Sequence, residues 1–167
     1  MFQTNEYVFY ASGGICRIVD IQTAPLDGMP QDKQYYILHS VHDQNSVMYI
    51  PVDSDCVFLR RIMTREEAES LLSGVTEASV FEAPNAKALR DRYQEAMRRY
   101  QPIDWIRVIK TVRMRMSEQG TPPRRISETE RTFAETAKKF LFAELSLSLD
   151  EPREQIESRL AELVGKI

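Results

Sequence analysis

Two cysteines, two histidines and one tryptophan are all that this 167-residue chain holds of those types. Cys16 and Cys56 show no C-x-x-C spacing and fit the buried thiols of a reducing cytoplasm better than a disulfide framework. His39 and His42 stand three apart at the end of a candidate strand, a spacing that points them to opposite faces. No Cys/His/Asp cluster joins them at ligand spacing, so no metal site is expected. The longest apolar runs are only a few residues, which excludes a membrane span. "MFQTNEYVFY" has no basic segment followed by an apolar one, so no secretory signal is expected and the chain reads as cytoplasmic. Walker loops, dinucleotide fingerprints and G-x-S-x-G are missing, and the "SGG" at 12–14 is too short to cradle a phosphate. Carboxylates are scattered along helical faces rather than paired. These absences argue against an enzyme, and no cofactor or small-molecule substrate is implied.

What is present is an uneven distribution of charge. The net charge of −3 hides three regions. Residues 1–85 carry 5 Lys/Arg against 12 Asp/Glu, a balance of −7. Residues 86–125 carry 11 against 4, or +7, and residues 126–167 carry 6 against 9, or −3. A basic middle between acidic flanks points to a polyanionic partner met through one face.

The periodicity changes near residue 63. Before it, "EYVFYAS", "ICRIVDI", "QYYILHSV", "SVMYIPV" and "CVFLRRI" read as short strands separated by turn chemistry. Gly13-Gly14 is read as a turn needing positive φ. Five short antiparallel strands in so few residues predict a small barrel that closes its edges or offers one for pairing. After it, Thr64 with Glu67 forms a capping box and Gly74 a stop. Ala86, Leu89, Tyr93, Met97 and Tyr100 repeat at helical spacing, and Gln101-Pro102 ends that helix. Asp104 is expected to cap the next helix. There Trp105, Val108, Ile109, Val112 and Met116 share one arc, with Arg107, Lys110 and Arg113 roughly opposite. Trp105 is therefore placed in the core rather than on a base-stacking surface. "TPPRR" reads as a loop, Ser127 with Glu130 as a second capping box, and Pro152 as the opening of a last helix. The expected organisation is α+β: a β module over 1–63 and an all-α domain over 64–167.

Two consecutive Arg-rich helices have few acidic partners for the i, i+4 pairs that normally offset repulsion. With Arg124 and Arg125 in the following loop, they are candidates for phosphate contact, which positions a protein without reading sequence.

"GGICRIVDI…LDG…QYYILH…VMYIPVD…LRRI" resembles the N-terminal module of the CarD/CdnL transcription regulators, itself similar to the RNA-polymerase-interacting domain of transcription-repair coupling factors. "LRDRYQEAMRRY" resembles that family's Trp-x-x-Arg-Tyr helix, and "ISETERTFAETAKKFLFAELSLSL" its later Leu-Ser-x-x-Glu helix. The likeness runs from about Phe2 to Leu149. It implies a Tudor-like β module that pairs an edge strand with the RNA polymerase β subunit, and a helical domain on promoter DNA at the upstream edge of the transcription bubble. In that family a tryptophan wedges into the minor groove and favours the open complex, as an apolar side chain at an unstacked step does.

Carried over, Val47, Met48, Tyr49, Ile50 and Pro51 match the polymerase-pairing strand. Arg92 and Tyr93 match the Arg-Tyr of the DNA helix, and Arg131 and Lys138 match basic positions of the later helix. The DNA-facing set is then Lys87, Leu89, Arg90, Arg92, Arg107, Lys110, Arg113, Arg124, Arg125, Arg131 and Lys138. Leu89 stands where relatives carry tryptophan, and either acts as a smaller wedge or belongs to the apolar stripe with Ala86 and Tyr93. Two arginines that support polymerase contact in relatives align with Ala24 and Tyr49. A polymerase-tethered adaptor without the wedge is the alternative reading. A stand-alone Tudor-like ligand binder would need an aromatic cage from Tyr7, Phe9, Tyr35, Tyr36 and Tyr49.

Overall fold

The structure, a computed structural model, describes residues 1–43, 45–55, 58–117 and 126–164. Two compact units divide the chain, Met1–Ile62 and Met63–Ile167. Met63 belongs to the second because its backbone is held there: its N–H donates to Glu144 at 2.9 Å and its carbonyl accepts from Ser148 at 2.8 Å.

The first unit is one antiparallel sheet of five strands: β1 (Tyr7–Tyr10), β2 (Gly14–Thr23), β3 (Gln34–Ser40), β4 (Val47–Pro51) and β5 (Leu59–Arg61). Their spatial order is β4-β3-β2-β1-β5, consistent with the expected Tudor-like module and leaving β4 and β5 as the edges. Alternation along the strands sends Val8, Cys16, Ile18, Tyr36, Leu38 and Ile50 into one core, closed by Phe2, Tyr10, Ile21 and Met48. An irregularity between Ile18 and Asp20 shifts the β2–β3 register and bends the long strand. The β1–β2 turn needs both of its glycines. Gly14 sits at φ +69°, and a Cβ on Gly13 would lie 2.9 Å from Met48 Sδ and from Tyr10 Cδ1. Phe9, Tyr35 and Tyr36 are buried, as core side chains rather than walls of an open cage.

The second unit holds α1 (Arg65–Ser73), α2 (Ala86–Arg98), α3 (Pro102–Ser117), α4 (Glu128–Leu149) and α5 (Arg153–Val164). Helix α4 is central, packing against each of the other four. Both capping boxes form: Thr64 with Glu67 opens α1, and Ser127 with Glu130 opens α4. Asn85 caps α2 by accepting from Ala88 N–H at 2.9 Å. Helix α4 ends on Asp150 in the left-handed conformation, φ 54°.

Two expectations are corrected. Helix α3 starts at Pro102, whose missing N–H costs nothing in a first turn. Asp104 thus lies inside the helix, buried, with its carboxylate 3.5 Å from Arg107 and 3.9 Å from Arg99. Met116, expected on the core arc with Trp105, Val108, Ile109 and Val112, is instead 62% exposed, in the last turn of α3 where it lines a groove beside α4. No described helix is long and apolar enough to cross a membrane.

Candidate functional site

The strand read as the pairing strand, β4, lies at a sheet edge. Its ladder with β3 pairs Tyr36 with Ile50 and Leu38 with Met48. Ser40 N–H bonds Ser46 O at 3.3 Å and Val52 N–H bonds Gln34 O at 2.9 Å, so even-numbered residues turn their backbone towards β3. By antiparallel alternation Val47, Tyr49 and Pro51 turn theirs outward. Pro51 has no N–H, and its carbonyl accepts from Ser54 at 3.2 Å. The open edge therefore consists of the N–H and C=O of Val47 and Tyr49. Val47 is 39% exposed, whereas Met48 and Ile50 face the core of the unit.

In the helical unit the structure sorts the candidate cations by what they already hold. Lys110 spans from α3 to the segment after α1, where its ammonium donates to the carbonyls of Val75 (2.9 Å), Thr76 (3.0 Å) and Ala78 (2.6 Å). One turn away, Arg107 donates to Ser79 O at 3.2 Å and lies 4.2 Å over the Phe81 ring. Thr111 Oγ1 accepts from Phe81 N–H at 2.8 Å. Three α3 side chains thus strap the 75–81 segment down. Phe81 then meets Tyr93 of α2 edge-on at 6.0 Å, and Tyr93 meets Phe133 of α4 at 5.8 Å. The expected placement of Arg107 and Lys110 opposite the core is corrected accordingly: both are partly covered and engaged within the fold.

Lys87, Arg90, Arg92 and Arg98 are exposed on α2 and make no ion pair with any described residue. At 3.6 residues per turn, Lys87, Arg90 and Arg98 fall within an arc of about 80°, with Arg92 on the other flank of the helix. Arg99 is held by Glu95 at 2.5 Å and by Asp104, with the Glu95 hydrogen bond first among the causes that raise its pKa further. Arg113, Arg131 and Lys138 line one groove of about 530 Å³ between α3 and α4, over a floor including Ile109, Val112 and Ala134. Lys138 is paired there with Glu135 at 3.2 Å. Arg124 and Arg125 lie outside the described residues.

Leu89 is buried, 5% exposed, beside Tyr93 and Ala96 on the inner face of α2. Of its two readings, the apolar stripe is the one its burial fits, although Ala86 is itself exposed. Trp105 is 0% exposed and its ring lies 5.5 Å from that of Phe140.

An acidic hub was not foreseen beyond its capping role. Glu130 accepts from Ser127 N (3.1 Å) and Ser127 Oγ (3.0 Å) through one oxygen, and from Arg115 Nε (2.9 Å) through the other. It joins the end of α3 to the start of α4. The signal was the capping box itself, whose glutamate has a second oxygen to spend. Tyr93, close to this pair, has its pKa pushed up to about 12 by burial, with the Glu130 charge adding to it. Burial likewise raises the Cys16 thiol to about 11, making it an unreactive side chain. Among the described residues no His, Cys, Asp and Glu gather into a group that could hold a metal ion.

Residues 2–63 match the family model of the CarD-like/TRCF RID domain. The N-terminal unit is thus similar to a CarD-like/TRCF RID domain. The RID name denotes an RNA-polymerase-interacting domain, and the match ends one residue past the sheet unit, which closes at Ile62. Within this unit β4 is one of the two edge strands, and the outward backbone groups of Val47 and Tyr49 have no partner among the described residues. No curated protein matches the chain.

Proposed function

We propose that the chain is a non-enzymatic transcription regulator. It docks on the RNA polymerase β subunit by pairing β4 of its RID domain, and contacts promoter DNA near the upstream edge of the bubble through its helical unit. The observation that carries this reading is the RID match over a unit whose matching strand, Val47–Pro51, is an open edge. Backbone pairing along an edge gives affinity with little demand on side chains, which suits a site that lacks the family's two supporting arginines. The DNA contact is supported by the exposed α2 cations Lys87, Arg90, Arg92 and Arg98, with Arg131 on α4. Such contacts are sequence-independent and position the protein.

Polymerase pull-down with and without nuclease, followed by abortive initiation on a promoter, tests the reading. Nuclease-resistant retention and an altered initiation rate are expected. Lys87→Glu, Arg90→Glu and Arg98→Glu together should abolish DNA crosslinking while polymerase is retained; unchanged crosslinking would remove α2 from the interface. The burial of Leu89 favours one second reading, a polymerase-tethered adaptor without a DNA wedge. Retention with no change in initiation rate is its signature.

A further inference from the structure

The β4 edge is short, apolar and bracketed by acid. Its outward backbone groups belong to Val47 and Tyr49, and Pro51 ends the row. Across the ladder Tyr49 pairs with Ile37 and Val47 with His39, so this face of the edge is apolar with one imidazole. Asp43 stands four residues before the strand, and Asp53 and Asp55 follow its end; all three are exposed. Lys33, 3.4 Å from Asp53, is the one described cation paired with this bracket. The arginines of this unit other than Arg17 lie on β5, the opposite edge. No cation faces outward along β4 itself.

We propose that the segment pairing with β4 is a short strand with a β-branched or apolar centre and a Lys or Arg at each end. This rests on the docking reading given above and adds the chemistry of the partner. A strand laid against Val47 and Tyr49 exchanges backbone hydrogen bonds with those two residues only, so the paired stretch is about four or five residues, roughly 15 Å. Along the chain the acids flank that stretch on both sides, Asp43 within the β3–β4 turn, where it also accepts from Asn45 N–H, and Asp53 and Asp55 after Pro51. There opposite charges steer encounter and like charges repel. The pattern inverts the side chemistry of an edge that carries its own arginines: here the acid is on this chain and the base on the partner.

The test measures affinity of the full chain for purified RNA polymerase at low and high salt, using two variants. Tyr49→Pro removes one outward N–H at an edge position where proline leaves the β3 ladder intact, and it should abolish binding at both salt concentrations. Asp43→Asn, Asp53→Asn and Asp55→Asn together keep the turn acceptors and remove the charge. They should weaken binding about 3- to 10-fold at low salt, with the difference vanishing at high salt. If the asparagine variant binds as well as wild type at low salt while Tyr49→Pro still abolishes binding, the basic partner strand is wrong and edge docking stands. If Tyr49→Pro binds normally, edge docking itself fails, and the proposal with it.

Discussion

Lys110 lies in the most basic stretch of the chain, yet its side-chain nitrogen is committed to three backbone carbonyls of its own fold. Lys110→Met leaves those acceptors short of a donor and should lower unfolding free energy by about 1–3 kcal/mol in denaturant melts. It should leave the salt dependence of DNA binding unchanged. Leu89 supplies the complementary case. Leu89→Ala should cost about 2–5 kcal/mol as a core truncation, and Leu89→Trp about 1–3 kcal/mol as an overpacked one. A Leu89→Trp protein that melts like wild type and stabilises open complexes would instead put this residue on the DNA. Buried weak acids set the alkaline limit. The folded state holds the Cys16 and Tyr93 protons more tightly than the ordinary values of 9.0 and 10.0, with pKa raised to about 11 and about 12. Each group's contribution is intact below its ordinary value and lost as pH rises through the folded one. Stability should therefore fall from about pH 9 to pH 12, and Cys16→Ala should blunt the first part of the fall in melting temperature.

Elements were legible where their determinants are local. Both capping boxes were visible as Thr64/Glu67 and Ser127/Glu130 because all partners lie within three residues. The inner stripe of α2 was visible at Leu89 and Tyr93 because period 3.6 needs no knowledge of the neighbour. What escaped were matters decided at a distance. Asp104 resembles a cap in sequence, but Pro102 starts the helix earlier and Arg99 and Arg107 claim the carboxylate. The strap on α3 joins residues some 30 apart, and periodicity alone carries no signal for it. The double use of Glu130 is testable at this scale. Ser127→Ala should cost about 1 kcal/mol, and Glu130→Ala more because Arg115 also loses its partner. The double variant should cost less than the sum, since both remove one cap.

For the molecule as a whole, the charge division survives but narrows. Of the basic residues between 86 and 125, the structure commits Arg99, Arg107, Lys110 and Arg115 to internal partners. With Lys87, Arg90, Arg92, Arg98 and Arg131 as phosphate contacts, log K for DNA should fall with log salt at a slope of about −3 to −5. A slope near zero would exclude phosphate contact by this unit. In one dimension, a cation facing a backbone carbonyl, as Arg107 and Lys110 do, looks like a cation facing solvent.

The proline that closes β4 has a consequence for self-association. A bare sheet edge is a hazard because it recruits further strands without limit. Here Pro51 lacks the donor needed to carry a ladder forward, and the flanking aspartates repel an identical edge brought alongside. The edge thus has a valence of one short strand, and two copies of the chain repel at the surface that one copy offers to its partner.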